Sequence, residues 1–193
     1  MTASAFAEGS LRSQAVFREV MNALARPGDI RRIEGVAAPA ALSPGAAAVI
    51  ETLADYETPV WLDPALAKDA AVCDWIRFRT GAPITTDSDA AAFAVVGDPR
   101  ALPDFSEFSP GTPDYPDRST TIILQIEDFT GVPLTLAGPG INGTRAFAAR
   151  PLPDGFAARL AANRELFPRG VDLVLVAGER LAALPRSIHL AGD

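Results

Sequence analysis

The chain has 193 residues, 48% apolar and 21% charged, a balance expected of a globular protein large enough to bury a core without disulfides. Its net charge of −7 argues against general nucleic-acid binding, which needs a basic footprint, and leaves room for a local anion site. The one cysteine, Cys73, excludes an internal disulfide, and no run of about 18 apolar residues suggests a transmembrane helix. No basic stretch followed by an apolar run opens the chain, so no secretory signal is expected, and residues 1–193 read as one cytoplasmic domain.

Residues 1–9 read as frayed, with Ser10 capping a helix to about Ala25. Phe17, Val20, Met21 and Leu24 recur at i, i+3, i+4 and i+7 and predict its apolar stripe, and Pro27-Gly28 stops it. Ile30–Glu34 reads as a short strand and Val36–Pro44 as a loop. Pro44 opens a second helix to Ala54, since proline suits a first helical turn. Thr58–Leu62 reads as a strand. Lys68–Thr80 reads as a helix with Val72, Trp75, Ile76 and Arg79 on one face, ended by Gly81.

Ala92–Val96 is a continuous apolar run, as in a strand buried on both faces. Residues 98–118 form the longest irregular stretch, rich in Pro and Asp. Its aromatics Phe105, Phe108 and Tyr115 read either as interface residues or as packed on their own domain, and a loop of that length is usually functional or tied to a partner. Thr120–Ile126 is the clearest strand, and Leu134–Ala137 is another. Asp154 is placed to cap a helix to about Leu166. Gly170–Ala177 reads as a buried strand with Leu181–Leu184 as its hairpin partner. Strands alternating with helices, several of them apolar on both faces, predict a three-layer α/β/α domain with a mixed sheet.

The chemistry-bearing residues are sparse. His189 is the only histidine, so neither a His/Cys metal cluster nor a well-placed Ser-His-Asp triad is expected, and no Walker A, G-x-G-x-x-G or G-x-S-x-G pattern is present. Lys68 is the only lysine and thus the only amine able to form a Schiff base; it precedes Asp69 with no apolar pocket evident, so no pyridoxal phosphate is expected. The anion-binding candidates are Arg77 and Arg186, whose guanidinium forks suit phosphate or phosphonate, with the Gly138-Pro139-Gly140 turn, Asp55 and Thr112. That turn reads first as an ordinary tight turn, with an anion nest as the alternative. Asp172 is a charge in an apolar run, so it is expected to be paired, with Arg169 or Arg186.

Phe17-Arg18 to Met21 with Pro27-Gly28, Thr52-Leu53-Ala54-Asp55 and Thr58-Pro59-Val60-Trp61-Leu62 form the first part of an ordered set. Arg77-Phe78-Arg79-Thr80-Gly81-Ala82-Pro83, Gly111-Thr112 and Thr121-Ile122-Ile123-Leu124-Gln125 continue it. Gly138-Pro139-Gly140-Ile141, Phe167-Pro168-Arg169-Gly170-Val171-Asp172-Leu173 and Leu184-Pro185-Arg186-Ser187 complete it. Together, from about residue 14 to 190, they resemble the PhnH (H subunit) family of the bacterial carbon–phosphorus lyase core. The resemblance implies a role in phosphonate use. With the G, I and J core subunits and an ATPase-like accessory protein, such a subunit supports transfer of an alkylphosphonate onto ribose C1 of ATP. Adenine leaves and a ribose 1-phosphonate 5-triphosphate forms; a different, iron–sulfur subunit later breaks the carbon–phosphorus bond.

The resemblance further implies a homodimer, a fold similar to pyridoxal-phosphate transferases without the cofactor, and a possible nucleotide or phosphonate ligand in the complex. No nucleic-acid or membrane partner is implied. Two positions depart from the family pattern: Arg79 stands for the usual histidine and Ser187 for threonine. Guanidinium keeps its proton, so a general acid at position 79 is not expected, while anion binding or helix capping survives the change. Two other readings stay open. One is a free-standing enzyme or binding protein for a small anionic substrate, and the other is a purely structural scaffold subunit.

Overall fold

The computed structural model describes residues 3–192, with side chains from Gly9 onward. Its order is α1 (Ala3–Ala25), β1 (Arg31–Arg32), α2 (Pro44–Leu53), β2 (Val60–Leu62), α3 (Pro64–Lys68), α4 (Ala70–Thr80), β3 (Ile84–Thr85) and β4 (Phe93–Val96). Two short 3-10 turns (Pro99–Ala101 and Phe105–Glu107) lead to β5 (Thr121–Gln125), β6 (Leu134–Ala137), β7 (Arg145–Phe147), α5 (Phe156–Glu165), β8 (Asp172–Ala177), β9 (Arg180–Leu184) and β10 (His189–Leu190).

Seven strands form one sheet in the order β1-β9-β8-β5-β4-β2-β3. The run β8-β5-β4-β2-β3 is parallel, and β9 and β1 add antiparallel at one edge, so the sheet is mixed and mostly parallel. A second, antiparallel sheet has the order β10-β6-β7.

The strand residues alternate between two cores, as the two-residue period of a pleated strand requires. Val60, Leu62, Val95, Ile123, Val174 and Val176 pack with α1, α2, α3 and α4. Trp61, Ala94, Val96, Ile122, Leu124, Leu173 and Leu175 pack with α5, the small sheet and the 98–118 segment. The expected layers on both faces are therefore present. The second outer layer differs from a helical one: it holds α5 and is otherwise built from the small sheet and irregular chain.

Several local expectations are corrected. Helix α1 begins at Ala3, so residues 3–9 are helical rather than frayed and Ser10 lies inside the helix; Met1 and Thr2 lie outside the described residues. The reason is composition: Ala3, Ala5 and Ala7 are the strongest helix formers, and they extend the helix past Gly9. Its buried residues are Val16, Val20 and Ala23, while Phe17 and Met21 are 49% and 48% exposed. The predicted 68–80 helix starts at Ala70 under an Asp69 cap, and Lys68 instead ends α3, exposed. Asp154 does not cap α5; the cap position is Gly155 in the left-handed region at φ 67°.

The largest correction concerns the 98–118 loop. Phe105 and Phe108 are 6% and 0% exposed, so they are core residues and not a free interface. Phe108 meets Trp61 edge-on at 5.4 Å and Phe105 meets Phe156 at 6.2 Å. Asp104 caps the second 3-10 turn in a capping box with Glu107, which folds these rings inward. Only Tyr115 stays exposed, with Arg118 stacked 4.2 Å from its ring.

Candidate functional site

The chain leaves β2 on one face of the sheet, into α3, and leaves β4 on the other, into the first 3-10 turn. Adjacent parallel strands with connections on opposite faces form a topological switch point, where open α/β sheets bind ligands beyond the carboxyl ends of the strands. A cleft of about 390 Å³ opens beside this point, over the carboxyl ends of β4 and β5. That volume lies within the range of small-molecule sites.

The cleft lining and the strand ends beside it hold polar groups that are already satisfied. Asp63, at the end of β2, is 1% exposed. Its Oδ1 accepts the N–H groups of Ala65 and Leu66 at 2.8 and 2.9 Å, capping α3, and its Oδ2 accepts Gly97 N–H at 2.6 Å, tying β2 to β4. Gln125 ends β5, buried; its Oε1 accepts Ser43 N–H and its Nε2 donates to Ala41 O at 3.1 Å. Ser43 in turn caps α2 through Oγ, which accepts Ala46 N–H at 3.3 Å. Each cap is worth about 1 kcal/mol, and together they lock the switch point.

The open groups lie on the rim. Arg100, Asp98 and Glu127 line the cleft and are exposed. Arg100 enters no ion pair among the described residues, as is also true of Arg26, Arg32 and Arg169 near other element ends, and it is the arginine that lines the cleft. Asp98 uses Oδ1 on the N–H of Arg100 at 3.0 Å, leaving Oδ2 free.

The six residues singled out from sequence are not gathered here, and none lines the cleft. Arg77 is exposed on α4, 3.7 Å from Asp74. Asp55 closes the turn between α2 and β2, its Oδ1 accepting Glu57 N–H at 2.9 Å. Thr112 accepts Tyr115 N–H at 3.0 Å within the irregular segment. The Gly138–Gly140 turn packs on the end of α1: a Cβ on Gly140, at φ 83°, would stand 2.2 Å from Ala25 O. Close approach of two backbones therefore accounts for that glycine.

Arg186 is held inside the fold. It pairs with Asp172, whose Oδ1 accepts its N–H at 2.8 Å and its Nε–H at 3.1 Å, and it also donates to Pro116 O and Ser119 Oγ. The expected pairing of Asp172 with an arginine is thus present, and the partner is Arg186. Arg79 pairs with Glu51 and lies 5.9 Å from the Trp75 ring, so in the last turn of α4 it joins α4 to α2. Two carboxyl groups are held below the usual range. Asp104 is lowered by hydrogen bonds from Ser106, and Asp128 by its hydrogen bond from Arg180 and by Phe129 N–H. No group of three or more acidic, His or Cys residues suited to a metal is present among the described residues.

Residues 4–191 match the sequence profile of PhnH, described as a bacterial phosphonate metabolism protein. The chain belongs to the PhnH family. It is 47% identical over 188 residues to "Alpha-D-ribose 1-methylphosphonate 5-triphosphate synthase subunit PhnH" of Rhizobium meliloti (strain 1021), covering 96% of this chain and 94% of that protein. It is 30% identical over 182 residues to "Putative C-P lyase subunit protein HtxG" of Stutzerimonas stutzeri, covering 93% of this chain and 86% of that one.

For this PhnH-family chain, sequence reasoning passed over the cleft residues. Ser43-Pro44 and Asp63-Pro64 carried a readable signal, a capping residue followed by proline at the first helical position. Both mark helices that start at the carboxyl ends of the sheet. Arg100 and Glu127 carry no local pattern, since their meeting depends on the parallel register of β4 and β5.

Proposed function

We propose that this chain is a subunit of the multi-subunit carbon–phosphorus lyase core, acting in phosphonate metabolism toward formation of a ribose 1-methylphosphonate 5-triphosphate. The observation that carries this reading is the match to a synthase subunit of that name at 47% identity along nearly the whole of both chains. Near-complete coverage leaves no extra domain of the relative in which its role would reside. The work is shared with partner subunits of the G, I and J types and takes place in the cytoplasm, which supplies the nucleoside triphosphate. The overall chemistry is a transferase step preceding the lyase step.

Within that reading the chain is a homodimer when isolated, resembles the pyridoxal-phosphate transferases in fold, and carries no such cofactor. The exposed setting of Lys68 at the end of α3 supports the last point, because a Schiff-base lysine needs an apolar or cationic setting to lower its pKa. An aldimine absorption band lost on Lys68→Ala would overturn it, and a strictly monomeric mass by light scattering at micromolar concentration would overturn the dimer. The assembly itself is tested by purifying tagged protein from phosphate-starved cells. Co-purification of the other core subunits is expected; recovery of the chain alone would defeat the reading.

A further inference from the structure

We propose that the cleft at the switch point binds a pentose carrying one phosphoryl or phosphonyl group. In this arrangement the sugar hydroxyls lie on Glu127 and Asp98 and the anionic group on Arg100. The choice of a pentose rests on the function proposed above; the cleft and its polarity do not.

The argument starts from which groups are free. Gln125 in the lining, and Asp63 behind it through Gly97 N–H, spend their hydrogen bonds on the protein, so they hold the cleft rigid and offer little to a ligand. Ser43 Oγ accepts Ala46 N–H and keeps its own hydrogen to donate. The Glu127 carboxylate and Asp98 Oδ2 accept only. Arg100 is the only cationic side chain lining the cleft and provides a planar fork of donors. The site thus presents two acceptor groups, one strong anion-binding fork and one hydroxyl. The rest of the wall is apolar, from Ala40, Pro99, Ile126 and Pro151.

That set selects ligand chemistry. Two carboxylates call for hydroxyl donors, and neighbouring hydroxyls on a furanose supply them in pairs. One guanidinium balances one phosphoryl or phosphonyl group. A polyphosphate chain inside the cleft would bring several negative charges against two carboxylates and a single arginine, so it is disfavoured there. In a ribosyl phosphonate triphosphate, the sugar and its phosphonyl group would therefore enter while the triphosphate pointed to solvent. The cleft volume of about 390 Å³ suits a group of pentose phosphate size.

The test is isothermal titration of the purified full-length chain, and of any assembly that co-purifies with it, using α-D-ribose 1-phosphate as probe. Inorganic phosphate and ATP serve as comparators. One saturable site per chain is expected, with phosphate weaker by about tenfold or more, since it lacks the hydroxyl contacts. Arg100→Ala is expected to weaken sugar-phosphate binding by about tenfold or more. Glu127→Gln should weaken the sugar phosphate without weakening phosphate, which loses a repelling charge. Arg118→Ala, an exposed arginine elsewhere, should change neither. Both cleft side chains are exposed, so thermal melts should show the variants folded. Absence of saturable binding in chain and assembly alike would overturn the proposal. So would phosphate or ATP binding as tightly as the sugar phosphate, or unchanged affinity in Arg100→Ala. Retained co-purification with no binding removes this inference alone; binding without co-purification removes the assembly reading instead.

Discussion

Replacing Arg186 by methionine should strongly destabilise the protein. The guanidinium is 14% exposed and its partner Asp172 is 18% exposed, so solvent screens the pair little. The substitution leaves the Asp172 carboxylate with the backbone N–H of residue 186 at 2.8 Å and strips the guanidinium donors from it, from Pro116 O and from Ser119 Oγ. Removing one member of a buried pair costs about 3–5 kcal/mol. Partial exposure puts the expectation near the lower end, about 3 kcal/mol, or a fall in Tm of about 6–12 °C for a domain of this size. Asp172→Asn keeps an acceptor for that N–H and should cost less. The double variant should be more stable than the sum of the singles predicts, by about 1 kcal/mol or more, because it leaves no unpaired charge. Urea unfolding followed by tryptophan fluorescence at constant m-value reads all of these terms. A loss below about 1 kcal/mol in Arg186→Met, or additivity within about 0.5 kcal/mol, would refute the view that this pair closes the fold beside the 116–119 segment.

Phe108→Ala should cost about 3–5 kcal/mol in the same assay, since it empties a fully buried site against Trp61; a loss under about 1 kcal/mol would return the 98–118 segment to a loosely packed loop. Gly140→Ala should cost clearly more than Gly143→Ala: both sit at positive φ, but only Gly140 also meets backbone at 2.2 Å. Equal melting temperatures would show that the turn shifts freely away from α1. Asp128 has a folded-state pKa below its ordinary value, so its contribution is complete above about pH 4 and is lost as pH falls through the lowered value. Asp128→Asn should therefore flatten the acid side of the stability profile and leave the slope near neutrality unchanged; a variant with the same acid slope would refute this.

The fold was legible where the two-residue and 3.6-residue periods were undisturbed. Residues 121–125 and 172–177 are apolar on both faces because each face meets a different core, and that double burial is what their continuous apolar runs announced. The parts missed are short or context-made. Ile84–Thr85, Arg145–Phe147 and His189–Leu190 are strands of two or three residues, set by their neighbours rather than by any periodicity of their own. Phe17 and Met21 illustrate the converse. They fit a helical stripe in sequence, but the buried arc of α1 is centred on Val16, Val20 and Ala23, and small residues marked the close contact better than large ones.

The site was less legible for a related reason. Residues were sought by their chemistry, and arginines at element ends attracted attention. In the fold, Arg186 answers Asp172, as the charge in an apolar run had suggested, and Arg79 answers Glu51, a carboxylate that sequence distance had hidden. Arg100 is chemically the same residue but stands at the end of β4, where the chain crosses to the other face, and no carboxylate meets it. Lack of an internal carboxylate does not by itself mark Arg100, since Arg26 and Arg169 lack one too; its place in the cleft lining does, and that is a property of topology. The signal readable beforehand was indirect: Ser43-Pro44 and Asp63-Pro64 each placed a capped helix start beyond the sheet. The carboxyl ends of β4 and β5 next to the switch point, rather than any single residue type, locate the cleft.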